Sequence, residues 1–72
     1  MKTVFECREI AEREILSNHE GLGEFTNYVA VSQTGESIIC KQESDAINCN
    51  TKFVFLTKYC NGKVTVELCH AY

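Results

Sequence analysis

Two runs of alternating apolar and polar residues, Lys52–Cys60 and Lys63–Ala71, flank the dipeptide Asn61-Gly62. A two-residue Asn-Gly loop takes positive φ at both positions, which Asn tolerates and Gly accepts freely, so the pattern predicts a tight β-hairpin. That loop sets Cys60 opposite Lys63, Tyr59 opposite Val64 and Phe55 opposite Leu68. Alternation then places Phe53, Phe55, Thr57, Tyr59, Val64, Val66, Leu68 and His70 on one face, which is apolar enough to be a core face. The other face carries Val54, Leu56, Lys58, Cys60, Lys63, Thr65, Glu67 and Cys69. It is charged at the loop end and apolar at the far end.

A second alternating stretch, Phe25 to Lys41, turns at Thr34-Gly35. A two-residue loop would set Val31 opposite Ile38 and Val29 opposite Cys40, giving a core face of Phe25, Val29, Val31, Ile38 and Cys40. Thr26, Tyr28, Ala30, Ser32, Ser37 and Ile39 would then lie behind it. A three-residue loop with a Gly bulge would shift this pairing by one; the two-residue version gathers more aliphatic side chains on one face. Between the hairpins, Gln42–Thr51 is rich in cap and turn formers, and Ser44 could cap one helical turn through Ala46 and Ile47.

At the other end, Val4 to His19 contains no Gly or Pro and is rich in helix formers. Thr3 followed by Glu6 matches a capping box, and Glu9–Arg13 and Arg8–Glu12 have ion-pair spacing. Val4, Cys7, Ala11 and Ile15 form one apolar stripe, with Ile10 beside it and Phe5, Leu16 and His19 widening the arc. Gly21 or Gly23 would end the helix. Over residues 2–8 a short strand competes, because Thr3, Phe5 and Cys7 alternate with Val4, Glu6 and Arg8.

The expected architecture is therefore one α+β domain over residues 1–72: an N-terminal helix packed on a four-stranded antiparallel sheet made of two hairpins. In topology alone this resembles the cystatin arrangement. Those inhibitors carry Gln-x-Val-x-Gly at the first hairpin, where this chain has Gln33-Thr34-Gly35.

Charge narrows the partners. The net charge is −3 with a pI near 5.2, which argues against nucleic acid as the default ligand. Residues 1–24 hold six acids against three bases, whereas residues 51–72 hold three Lys and one Glu, so the helix is the acidic face. Met1 reads as a natural start, and no apolar run in MKTVFECREI has signal-peptide length. A cytoplasmic protein without a membrane span is expected. The five cysteines (7, 40, 49, 60 and 69) then read as reduced thiols buried as small hydrophobes.

No assembled chemical motif is evident. The cysteines lack the close pairing of zinc knuckles, and the hairpin register separates Cys60 from Cys69. His70 adjoins Cys69, but neighbours on a strand point to opposite faces, and His19 at the helix end reads as a dipole partner. Glu6, Glu9, Glu12 and Glu14 read as a solvated helix face, and Gly21-Leu22-Gly23 as a turn. No cofactor, metal or catalytic residue is expected.

The remaining feature is the half-apolar second sheet face, which either stays open or is covered by the Gln42–Thr51 connection. Tyr28, Ile39, Val54 and Leu56, rimmed by Lys58, Thr65 and Glu67, are the expected partner-binding surface. The acidic helix, through Glu6, Glu9, Glu12 and Glu14, is a second one. The expected function is a small non-enzymatic protein-binding module, a regulator or inhibitor of the kind phages and mobile elements encode. Its partner would be another protein or a second copy of the chain. The alternatives are a zinc-stabilised domain using Cys residues, or a weak nucleic-acid binder using Lys52, Lys58 and Lys63 with Tyr28.

Overall fold

A computed structural model describes residues 1–18, 23–49 and 51–72; the expectations for His19, Gly21, Leu22 and Asn50 lie outside these. The elements run α1 (Val4–Asn18), β1 (Glu24–Val31), β2 (Ser37–Cys40), α2 (Glu43–Ile47), β3 (Phe53–Cys60) and β4 (Lys63–Ala71). All strand pairs are antiparallel and the sheet order is β2-β1-β3-β4. The expected α+β architecture is present, with α2 added to it.

Helix α1 starts where the capping box puts it. The Thr3 N–H donates to Glu6 Oε1 at 3.0 Å, and the Glu6 N–H donates to Thr3 Oγ1 at 3.2 Å. The Cys7 N–H closes the first helical bond on the Thr3 carbonyl at 3.0 Å, so residues 4–8 are helix rather than strand. The two Arg–Glu pairs do not close; among the described residues, the side-chain ion pair is His70–Glu43. Gly23 lies immediately before β1, where its carbonyl accepts the Asn61 N–H, so it serves the sheet and does not cap the helix.

Cys7, Ala11 and Ile15 are the residues α1 buries. They pack on Val29, Val31, Phe53, Phe55 and Tyr59, and the Phe25 and Tyr59 rings stack at 4.7 Å as opposite residues of β1 and β3. Thr57, 1% exposed, keeps its hydroxyl satisfied by donating to the Asn27 carbonyl.

The β3–β4 hairpin follows the expected register from Cys60–Lys63 to Phe55–Leu68, with Asn61 at φ 47° and Gly62 at φ 89°. Beyond Leu68 the ladder slips by one, and Val54 faces His70. This bulge at Cys69 corrects the placement of His70: it turns away from α1 and towards α2. The β1–β2 hairpin departs from expectation as well. Its loop has three residues, Gln33-Thr34-Gly35, closed by the Ser32 N–H on the Glu36 carbonyl at 2.8 Å. Gly35 sits at φ 96°, the left-handed position of a bulged turn. Ser32 Oγ accepts the Glu36 N–H at 3.0 Å and reinforces this choice. Val29 therefore pairs with Ile39 and Ala30 with Ile38, so Ile39 and Ser37 join the α1 side while Ile38 and Cys40 go to the other.

That other side is not bare. Helix α2 lays Ala46 on Ala30 and Val54, all fully buried, with Tyr28, Cys40, Cys49 and Cys69 packed around them. Ser44 lies inside α2 rather than capping it; the cap position is Gln42, which makes no side-chain cap bond.

The capping box makes a testable demand. Thr3→Ala is expected to cost about 1 kcal/mol, a sizeable share of the roughly 3–5 kcal/mol available to a core of this size, read as a lower urea midpoint. The Thr3 amide and hydroxyl hold the Glu6 carboxyl below the ordinary glutamate range. Its contribution is fully present above the unfolded-chain value and lost as pH falls through the lowered folded value. The Thr3 amide resonance should follow that titration, with a midpoint more acidic than an unperturbed glutamate.

Candidate functional site

The residues expected to bind a partner through the sheet are only partly brought together. Tyr28, Leu56 and Glu67 form one row across β1, β3 and β4, and Lys58 and Thr65 sit opposite each other in the next. Val54 shares their face but is 0% exposed beneath Ala46, and Ile39 packs on the α1 side through the register of β1–β2. The apolar half of this face is thus the floor for α2, and what stays open is half-buried Tyr28 and Leu56 among Lys58, Thr65 and Glu67. This corrects the expectation of an exposed apolar sheet patch.

The acidic residues of α1 also divide. Glu6 is committed to the cap. Glu14, half-buried, receives the Asn18 side-chain amide. Glu9 and Glu12 remain exposed. They stand between Phe5 and Leu16, the four residues being spaced four, three and four apart, the spacing of a single stripe on a helix. Phe5 is 67% exposed and Leu16 41%. Periodicity alone adds both to the buried arc, but the contact with the sheet is made by Cys7, Ala11 and Ile15 with Ile10 beside them. The signal was present: Phe5 and Leu16 lie off the Cys7–Ala11–Ile15 line by about a third of a turn of an ideal helix.

Thiol chemistry finds little support in the geometry. Cys69 and His70 do sit together beside α2, but His70 Nε2 is 3.4 Å from Glu43 Oε2, and Cys69 Sγ points to the Glu67 carbonyl at 3.9 Å. Burial pushes the Cys7, Cys40 and Cys69 thiols up, and the Glu24 carboxylate, accepting from Cys60 Sγ at 3.2 Å, pushes Cys60 up. A nucleophilic cysteine needs the opposite shift. Cys40 and Cys49 pack around the same buried cluster, and Cys49 Sγ donates to the Asp45 carbonyl at 3.1 Å. Among the described residues, no group of three or more His, Cys, Asp or Glu side chains is placed to hold a metal ion. No described helix is long and apolar enough to cross a membrane.

Burial ranks the thiols. Cys7 is 0% exposed and Cys60 is open. With iodoacetamide on the folded chain, Cys60 should be alkylated and Cys7 spared until denaturant is added, as read by mass spectrometry of peptides; early labelling of Cys7 would contradict the packing of α1. No family model, curated protein or solved structure matches this chain, so its functional reading rests on the geometry of its own residues.

Proposed function

We propose that this chain is a small, non-enzymatic, cytoplasmic protein-binding module, a regulator or inhibitor that engages a larger protein through the outer stripe of α1. The observation that carries this reading is the stripe itself: Phe5 and Leu16 project from the helix while Glu9 and Glu12 stand exposed between them. Large apolar side chains at i and i+11 with acids at i+4 and i+7 on the same stripe suit a helix laid on a surface with two apolar pockets and basic groups between them. Among the described residues, α1 meets the sheet through Cys7, Ala11 and Ile15 with Ile10 beside them, and the stripe lies on its other side. The rows of Tyr28, Leu56, Lys58, Thr65 and Glu67 on the opposite face offer smaller apolar area and serve as a comparison surface.

Immobilised chain should retain a partner from extract of its native cell, with retention falling as salt is raised. Burying one such aromatic is worth about 1.5–3 kcal/mol, so Phe5→Asp is expected to weaken retention at least tenfold, and Leu16→Asp similarly. Lys58→Glu, on the far face, should leave it unchanged. Retention of the same proteins by all of these variants, or of none by the unaltered chain, would rule out the helix stripe as the binding surface.

A further inference from the structure

A separate surface is the outer edge of β4, which pairs with no other strand among the described residues. Strand β4 is nine residues long and lies at one margin of the sheet. The two-residue turn at Asn61-Gly62 closes on Cys60–Lys63, so that pair and every second pair after it exchange the ladder bonds with β3. The amides and carbonyls of Val64, Val66 and Leu68 consequently point out from the sheet. Natural edge strands are usually short, bulged, proline-bearing or covered. Here the chain has no Pro, the bulge lies beyond Leu68, and Leu68 is 39% exposed. The opposite margin differs: β2 has only four residues.

We infer that β4 pairs antiparallel with β4 of a second copy of this chain, about a two-fold axis through Thr65. Charge selects the occupant and the register. Lys63 and Glu67 are both exposed and stand equally far on either side of Thr65. In a two-fold pairing centred there, each Lys63 faces Glu67 of the other copy, Thr65 faces Thr65, and Val64 faces Val66. The outward amides fall in phase, with Val64 and Val66 as the hydrogen-bonded pair. Lys63 and Glu67 then form the non-bonded pair, in which side chains approach more closely. Shifting the axis to Val66 sets Lys63 against Cys69 and Glu67 against Thr65, and shifting it to Val64 sets Lys63 against Thr65; neither makes the ion pairs. A strand from an unrelated protein has no reason to match this inverted charge pattern, whereas a second copy matches it by symmetry. The product is one continuous sheet with four strands from each copy and both α1 helices on the same side, the outer stripe of each left to its own partner.

Sedimentation equilibrium of the purified chain should show a concentration-dependent rise from 8.2 kDa to twice that mass. Lys63→Glu and Glu67→Lys, each placing like charges opposite one another at two symmetric positions, should weaken self-association roughly tenfold. The double variant, which restores opposite charges in every pair, should recover it. Hydrogen exchange supplies a measurement without substitutions: protection of the Val64 and Val66 amides should rise with concentration while that of Lys63, Thr65 and Glu67 is already high in dilute solution. A monomer at every concentration overturns the inference. So does a dimer indifferent to the single charge reversals, or one whose outward β4 amides gain no protection. Because α1 is not part of this surface, loss of self-association and loss of partner retention on Phe5→Asp are independent outcomes.

Discussion

Strand β3 is the constraint on which the rest of the molecule depends. It is hydrogen-bonded along both edges, to β1 and β4, and it is the strand that both helices need. Phe53, Phe55 and Tyr59 meet α1 while Val54, the residue between the two Phe, is buried on the α2 side. A strand packed on both faces reads as a near-continuous apolar run, and Phe53-Val54-Phe55-Leu56 is such a run. In a chain of 72 residues this shared use of one strand is efficient: two small layers are stabilised by the same backbone, and neither helix has to bury a wide face of its own.

That economy explains where the exposed apolar residues end up. Helix α1 is held by three small or medium side chains, Cys7, Ala11 and Ile15, with Ile10 beside them, and Phe5 and Leu16 lie outside that contact. Helix α2 has only five residues and covers just the apolar end of the second face, through Ala46. The polar end, with Lys58, Thr65 and Glu67, needs no cover. Exposed large apolar side chains therefore stand on the outer side of α1, at Phe5 and Leu16, and at the margin of β4, at Leu68, while Val54 on the sheet face is covered.

The cysteines follow the same division. Cys7 belongs to the α1 core, and Cys40, Cys49 and Cys69 cluster around α2 as half-buried packing groups. Three of the four, Cys7, Cys40 and Cys69, are pushed towards the neutral thiol by burial, which suits small hydrophobes better than ligands or nucleophiles. Cys60 stands apart, exposed and bonded to Glu24.

What the sequence determined by itself was whatever short-range chemistry can decide. The capping box places the start of α1 because Thr3 and Glu6 satisfy each other's backbone within one turn. Asn61-Gly62 dictates a register across six strand positions because only that loop fits two positive φ values. Where two local solutions were nearly equal, only the tertiary structure chose. Thr34-Gly35 serves a two-residue or a three-residue loop, and the choice fell to Ser32 bonding Glu36 and to Ile39 packing beneath α1. The bulge at Cys69 leaves no mark in the alternation; it shows only once Glu43 on α2 meets His70. Likewise, the sequence left open whether the Gln42–Thr51 connection covers the second face, and only the assembled layers set Ala46, eight positions before Val54, on top of it. The buried stripe of α1 was legible from periodicity. That the same helix leaves Phe5 and Leu16 outside is a matter of how much sheet there was to cover, and that is a property of the assembled layers.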